Sequence, residues 1–299
     1  MFIIRYRKLF VSLSVVLVAL CVVALALFGL KPSIDFTGGT LLEVSRASSD
    51  QAAIQALVQD VTGVAASVRP TDDAFIIRTA SLSPEQIASL EDALAAPEVG
   101  SSLVRTSTIG PSLGEELFQK ALIAIVLVSL GIMLFIAIAF WKVSKPVSSW
   151  VYGLVTLGTL AHDVLIPAGV FAVLGAFANV EVDALFVVAL LTVLGYSVND
   201  TIVVLDRVRE NLKLNQEQNK HEEFERTVGK SLTQTYARSI NTSLTTIVVL
   251  LALFFFGGSQ TEDFALALLL GVAAGAYSSI FFAAPLLVLI GERTKKKPA

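Results

Sequence analysis

Four ionisable residues stand inside or at the edge of long apolar stretches, where charge is rarely found. His162 and Asp163 are adjacent, Asp200 lies in the next stretch, and Arg238 precedes another. An ionisable side chain within a membrane costs roughly 2.5–3.5 kcal/mol on insertion scales, so each of these residues is a candidate functional site. Low dielectric favours a neutral carboxylic acid whereas an approaching arginine favours the carboxylate, so such a group can load and release a proton. The pattern predicts a proton relay.

The candidates for this relay do not have equal support. Asp200 and Arg238 are the main ones, and His162, Asp163, Asn199 and Thr242 are weaker ones. Thr242 belongs to a polar helix face, because Asn241, Thr242, Thr245 and Thr246 recur at intervals of three and four. Simpler interpretations stay open: Arg238 can snorkel to the interface, and His162 with Asp163 can link helices through hydrogen bonds. The hydroxyls of Thr245 and Thr246 can bond their own helix backbone.

Six apolar stretches without Lys or Arg must position these side chains. They are Phe10–Leu30, Ala121–Trp141, Trp150–Phe177, Ala184–Leu205, Ser239–Phe256 and Phe264–Ile290. Each is near the roughly 20 residues that a membrane helix needs, and lipid cannot satisfy the backbone of other structures. Only 16% of the 299 residues are charged, against about 25% in soluble domains. We therefore expect an all-α membrane protein, a bundle of six transmembrane helices.

Basic residues predict the orientation of this bundle. They cluster in the N-terminal tip, in the loops 142–149 and 206–238 and in the tail 291–299, whereas the loops 178–183 and 257–263 have none. Both termini should be cytoplasmic, with residues 31–120 outside. The tip and Ala24-Leu25-Ala26 imitate a cleavable signal peptide, but the apolar run continues to Leu30, which favours an uncleaved anchor. Whether residues 1–26 are ever removed stays open.

Residues 31–120 form the one predicted extramembrane domain. The predicted strands are Thr40–Ser45, Val64–Arg69, Phe75–Thr79 and Ser102–Thr108, with helices capped by Ser49 or Asp50 and by Ser83, and a turn at residues 70–73. The order βαββαβ favours a small α+β domain of the ferredoxin-like type. The segment has no His, no Cys and no Gly-rich phosphate loop, so binding or mechanical coupling is expected rather than catalysis. The chain's single cysteine, Cys21, excludes an intrachain disulfide and a cysteine metal cluster.

Several motifs resemble one known family, the SecD/SecF protein-export membrane proteins of the resistance-nodulation-division superfamily. They are Asp35-Phe36-Thr37-Gly38-Gly39, Ile109-Gly110-Pro111 with Gly114 and Glu116-Leu117, Ala161-His162-Asp163, the run from Gly195 and Tyr196 to Val204 with 206–210, and 238–246. The run that begins at Gly195 is similar to the span-four motif of the family's SecF branch and is the most specific. Ser239 departs from the family pattern, which has threonine at this position.

The resemblance implies a function that the composition does not show. A SecF-type subunit works with SecD and uses the proton-motive force to promote preprotein translocation after SecA has acted at the SecYEG channel. Further implied partners are YidC and YajC, besides the preprotein and membrane lipid; no nucleic acid is expected. The implied location is the bacterial inner membrane, and the implied role is that of a transport subunit and not an enzyme. No cofactor or metal is expected, and the sequence does not distinguish H⁺ from Na⁺ as the coupling ion.

Two other functions compete with this one. A half-transporter of the same superfamily would export a small hydrophobic substrate, but such proteins carry a much longer insertion than the about 90 residues present between spans one and two. An intramembrane aspartyl protease would use Asp163 and Asp200 as a pair. That chemistry needs two carboxylates that share a proton, whereas these two are predicted at different depths. The Gly-x-Gly-Asp sequence of such proteases is also absent.

Overall fold

The computed structural model describes residues 2–45, 50–70, 74–97, 99–141, 147–220 and 222–295. The chain divides into two compact units. The helical unit comprises Met1–Lys31, Ile123–Val180 and Leu185–Ala299, and the sheet unit comprises Pro32–Leu122 and Glu181–Ala184. Several residues on which the sequence analysis relied lie outside the described residues: Ser49, the turn residues 71–73, Lys142, Lys145, Lys296 and Lys297.

Six helices in the described part of the chain are long and apolar enough to cross a membrane. They are α2 (Arg7–Phe28), which follows the short α1 (Phe2–Arg5), then α6 (Pro111–Ala139), α7 (Ser149–Ala178), α8 (Ala184–Glu217) and α9 (Phe224–Phe256), and a last helix over Thr261–Glu292. Many of their large apolar side chains are exposed, such as Leu127 and Phe255, as expected for surfaces that face lipid rather than water. The predicted membrane bundle of helices is confirmed, and the chain is a multi-pass membrane protein.

The helices do not end where the apolar stretches that predicted them end. α2 ends at Phe28 because Gly29 takes a φ of 68°, a conformation that glycine adopts readily; the sequence placed this end at Leu30. α8 and α9 extend well beyond their apolar stretches and pack against each other. There Val208 and Val228 share an apolar cluster, and Asn211 Nδ2 donates to Ser231 Oγ at 2.8 Å. Polar composition had indicated a loop, but burial between the helices stabilises regular structure.

The sixth transmembrane segment contains a local irregularity. It consists of α10 (Ser259–Ser278), a five-residue π-helix (Ser279–Ala283) and α11 (Ala284–Lys295). Such π-bulges inside α-helices are frequent at functional sites because they redirect the neighbouring side chains. The apolar run 264–290 gave no sign of it.

The sheet unit follows the predicted order of strands and helices. β1 (Gly39–Ser45), β2 (Ala66–Pro70), β3 (Ala74–Thr79) and β4 (Leu103–Ile109) form an antiparallel sheet in the order β2-β3-β1-β4. α4 (Gln51–Thr62) and α5 (Pro84–Ala95) bury Ile54 and Leu90 in one core with Leu42 and Ile77 of the sheet. A single helical turn, α3 (Ile34–Thr37), precedes β1.

Local signals account for the ends of its helices. The predicted capping box is confirmed: Gln86 N donates to Ser83 Oγ at 3.3 Å, and Ser83 N donates to Gln86 Oε1 at 2.9 Å. Asp50 caps α4 by accepting from the N–H of Gln51. These contacts satisfy backbone donors that a helix leaves unpaired in its first turn.

Candidate proton-relay site

Asp163 ties three helices together in the core of the helical unit. The carboxylate is fully buried on α7. Ser197 of α8 and Ser278 of α10 both donate to its Oδ2, the latter at 2.8 Å. The ring of His162, its neighbour, places Nδ1 2.8 Å from Oδ1. A buried carboxylate is tolerated only where its oxygens are satisfied, so each of these contacts offsets part of its desolvation.

The backbone is irregular near Asp163 on α7 and near Ser278 at the end of α10. Pro167 lies in α7 and has no N–H, so it cannot make the helical bond to the carbonyl of Asp163. On the other side, Ser278 immediately precedes the π-helix. His162 stacks on Tyr277 and Phe282, with ring centroids 6.0 and 5.5 Å apart. Its Nε2 is buried and has no hydrogen-bond partner.

Asp200 has a different environment from Asp163. It lies on α8, about one turn beyond Ser197. The residue is 4% exposed, and Ser243 of α9 donates to Oδ2 of its carboxylate at 3.0 Å. Arg238 also lies on α9; its side chain is exposed, and its charge acts on Asp200 from a distance. The structure therefore brings Ser243 rather than Arg238 into contact with Asp200.

The remaining predicted residues surround the contact between α8 and α9. Tyr196 OH lies 3.2 Å from the carbonyl of Thr242 and 3.1 Å from the hydroxyl of Thr246. The Thr242 hydroxyl donates to the carbonyl of Arg238 in its own helix. The hydroxyls of Thr245 and Thr246 also bond the backbone of this helix, as the simpler interpretation of these two threonines expected. Asn199 is exposed. Gly195 has open space where a Cβ would be.

Two glycines let α10 approach α8 closely. A Cβ on Gly271 would lie 2.2 Å from Val193, and one on Gly275 would lie 3.0 Å from Ser197. This close approach places Ser278, one turn beyond Gly275, where it reaches Asp163. The Gly-x-x-x-Gly spacing predicts such packing, but not what the approach positions.

Sequence reasoning missed the three serines that contact the carboxylates: Ser197, Ser243 and Ser278. Serine is common in membrane helices and usually bonds its own backbone, so its type alone carries little signal. The usable signal for Ser278 was its place one turn after Gly275 on a packing face. Ser197 and Ser243 lie within the span-four and span-five motifs, where the charged neighbours Asp200 and Arg238 carry the stronger functional signal.

The two carboxylates have separate hydrogen-bond partners. Asp163 contacts His162, Ser197 and Ser278, whereas Asp200 contacts Ser243. A protease dyad requires two carboxyl groups within a few ångströms that share a proton. The arrangement fits that chemistry poorly, because no partner is shared between the two carboxylates.

The motif Asp35-Phe36-Thr37-Gly38-Gly39 lies in the sheet unit, away from the relay candidates in the sequence. Asp35 Oδ2 accepts a hydrogen bond from the N–H of Ala184 at 2.9 Å, and Phe36 packs edge-on against Phe118. Thr37 Oγ1 donates to the carbonyl of Ser33. Gly38 and Gly39 have φ values of 74° and 139°, which only glycine adopts without strain.

Comparison with known proteins decides the family. The model of the family described as "Protein export membrane protein SecD/SecF, C-terminal" matches residues 89–293, which is more than half of the chain. The chain belongs to the SecD/SecF family. The model described as "SecD/SecF GG Motif" matches residues 23–46, so the Gly38-Gly39 pair lies in a recognised signature of the SecD/SecF family.

The similarity to individual members of the SecD/SecF family covers nearly the whole chain. The chain is 41% identical to the protein translocase subunit SecF of Thermobaculum terrenum, over 96% of its own length and 92% of the relative. It is 37% identical to the protein translocase subunit SecDF of Thermus thermophilus, over 91% of its own length but only 36% of that relative. The crystal structure of SecDF from the same organism superposes with a TM-score of 0.83 at 35% identity, covering 97% of this chain and 38% of that one. The chain is thus SecF-like in sequence and fold, and corresponds to roughly a third of a SecDF protein.

Proposed function

We propose that this chain is a SecF-like subunit of the accessory complex of the Sec translocase. It uses the proton-motive force, together with SecD, to promote preprotein translocation and release after the SecA-driven step at the SecYEG channel. The observation that supports coupling to the proton gradient is the position of Asp200. It is buried on the helix with the span-four motif, and the hydroxyl of Ser243 on the next helix donates to its carboxylate at 3.0 Å. The protein is in this view an ion-gradient-driven subunit and not an enzyme.

The partners follow from the relatives. Thermus thermophilus SecDF contains the counterpart of this chain within one longer polypeptide, which supports SecD as the partner of this separate chain. SecYEG, YidC, YajC and the translocating preprotein are proposed on the family resemblance. The exposed apolar side chains of the spanning helices contact membrane lipid.

The location and orientation are part of the same proposal. The bacterial inner membrane holds the chain, with both termini cytoplasmic and the sheet unit extracytoplasmic, since Lys and Arg avoid the loops 178–183 and 257–263. The sheet order β2-β3-β1-β4, with a helix in each of two crossovers, supports a ferredoxin-like domain.

The chemistry at Asp200 needs only a change in hydrogen-bond direction. A serine hydroxyl can donate to an ionised carboxylate and accept from a protonated one. Ser243 donates to Asp200 across this contact, which suits an ionised carboxylate, and in the proposal the two roles exchange when the proton binds. Protonation also removes the attraction between Asp200 and the charge of Arg238. Both changes alter the contact between α8 and α9, which is the conformational step of the proposal.

The test is export into inverted membrane vesicles that contain SecD, SecYEG and SecA. In the variant Asp200→Asn the stimulation of export by a proton gradient should disappear, while ATP-driven export and the amount of assembled complex stay unchanged. Thr192→Ala serves as the matched control, because Thr192 lies exposed on the same helix. Gradient stimulation that survives in Asp200→Asn contradicts the proposal. Stimulation that persists in a protonophore but needs a Na⁺ gradient would assign Na⁺ as the coupling ion.

A further inference from the structure

The short connection between α7 and α8 belongs to the sheet unit. Residues Glu181–Ala184 group with Pro32–Leu122 rather than with the helices on either side of them. The sequence suggested a plain loop there, notable only for its lack of basic residues. In the structure the segment is held to the sheet unit by contacts through the side chain of Glu181, the backbone of Val182 and the backbone of Ala184.

The contact at Ala184 caps the helix that carries Asp200. Ala184 is the first residue of α8, and its N–H is one of the donors that a helix leaves unpaired at its start. Asp35 supplies the missing acceptor at 2.9 Å, although it lies 149 residues away in the chain. A carboxylate at a helix N-terminus also interacts favourably with the helix dipole. The acidic residue of the Gly-Gly signature is thus the N-terminal cap of α8.

The other two contacts fix the segment to the sheet. Arg78 Nη1 lies 2.8 Å from Glu181 Oε2, and the Glu181 side chain is only 7% exposed. Arg78 belongs to β3, opposite Leu41 of the central strand β1. In addition, Ser33 N donates to the carbonyl of Val182 at 2.8 Å. Ion pairs that are shielded from water hold their partners more firmly than exposed ones.

Asp35 is itself held in place by its neighbours in the signature. Its N–H donates to Ser33 Oγ at 3.2 Å. Four residues later Gly39 begins β1, and a Cβ there would lie 2.5 Å from the carbonyl of Thr79. A Cβ on Gly38 would lie 2.6 Å from Pro111, where α6 begins. The signature therefore connects Asp35, which caps α8, to β1 through only three intervening residues.

We propose that Asp35 and Arg78 are positioning residues that transmit movement of α8 to the sheet. Asp200 lies 16 residues beyond Ala184 in a continuous helix, which is about 24 Å at 1.5 Å per residue. A displacement of α8 on protonation therefore reaches Asp35 and, through Glu181 and Arg78, the strands β1 and β3. This inference rests on the proposed function of Asp200 and specifies where its effect leaves the membrane helices.

The prediction is uncoupling, which a purely structural role would not produce. Proton flux and gradient-stimulated export are measured on the same vesicles, with the complete complex and matched protein levels. Asp35→Ala and Arg78→Gln should keep the part of the flux that depends on Asp200 and lower stimulated export about fivefold, which corresponds to a loss of about 1 kcal/mol in coupling. Asp35→Asn keeps a carbonyl acceptor and should lose less than Asp35→Ala. Asp92→Asn, which changes an exposed residue of the same unit, is the control and should behave as wild type.

A charge exchange protects the test against simple misfolding. The double variant Arg78→Glu with Glu181→Arg should recover export relative to either single variant, because the ion pair is restored in reverse. Normal export in Asp35→Ala and Arg78→Gln overturns the inference, and so does a loss of flux that parallels the loss of export, or an exchange that fails to recover. If instead the wild-type flux does not depend on Asp200, it is the proposed function that fails.

Discussion

Asp163 and Asp200 are both buried carboxylates of the helical unit, but their surroundings differ. Asp163 is contacted by two serines from two other helices and by the imidazole beside it. Asp200 is contacted by one serine, with the charge of Arg238 at a distance. An ionised carboxylate has about four acceptor positions, so Asp163 comes much closer to saturation. The comparison separates a group that holds helices together from the group that we propose to change its protonation state.

The difference also predicts what each substitution does. Loss of a saturated carboxylate leaves several buried donors without partners, so the cost is structural. Loss of a carboxylate with one hydrogen-bond partner leaves only one donor unpaired, so we expect it to affect transport more than stability. Unfolding of the purified protein in detergent tests this division, because it measures stability apart from transport.

Asp163→Ala should have the largest effect on stability. It leaves the hydroxyls of Ser197 and Ser278 and the ring of His162 unsatisfied, and each buried polar group left without its partner costs about 1–3 kcal/mol. We expect a large drop in the thermal midpoint, whereas Asp200→Asn should change it little. Equal midpoints for the two variants would break the comparison.

Gly271→Ala should have an intermediate effect on stability, of the same order as the serine variants. The added methyl group would lie 2.2 Å from Val193, so α10 must move away from α8, at a cost of about 1–3 kcal/mol for overpacking. Gly195→Ala is the matched control, because nothing lies within 4 Å of a Cβ there. Val193→Ala should rescue Gly271→Ala in the double variant, since it removes the colliding atoms. Absence of that rescue would show that the close approach is not what the glycine provides.

Ser278→Ala and Ser243→Ala remove one donor from each carboxylate and form a matched pair. A hydrogen bond to a charged group contributes about 1.5–3 kcal/mol, so both variants should unfold at lower temperature. Only Ser243→Ala should also lower gradient-stimulated export, because only its partner is proposed to carry the proton. A transport defect in Ser278→Ala at normal protein levels would assign Asp163 to the relay as well.

Ser83→Ala should have the smallest effect and gives the scale of a purely local contact. It removes the side chain that caps α5 in the sheet unit, which costs about 1 kcal/mol. Melting curves should show this modest loss with no change in export. An effect as large as that of Asp163→Ala would mean that the sheet unit governs unfolding of the whole chain.

The sequence predicted whatever depends on neighbouring residues. Ser83 with Gln86 announced a capping box, and the apolar stretches announced the spanning helices, because those signals act within one or two turns of chain. It also pointed to Asp163 and Asp200, since a carboxylate in an apolar stretch is conspicuous at any position. The ordered helices over 206–238 were not foreseen, because their burial depends on each other.

The partners of the site residues could not be predicted because they are distant in the chain. Ser278 lies 115 residues from Asp163, and Ser243 lies 43 from Asp200. Asp35 caps a helix that begins 149 residues later, so neither residue type nor spacing links the two. Asp200 and Arg238 were predicted to share one relay, but whether their side chains come into contact depends on how α8 and α9 pack.

The claim that Asp200 is the group that binds the proton can be tested by infrared difference spectroscopy of the complete complex during an acid jump. A protonated carboxylic acid has a carbonyl band that its ionised form lacks. We predict that this band appears in the wild type, is lost in Asp200→Asn and returns at a shifted frequency in Asp200→Glu. A band that remains unchanged in Asp200→Asn would contradict the account, because another group would then carry the proton.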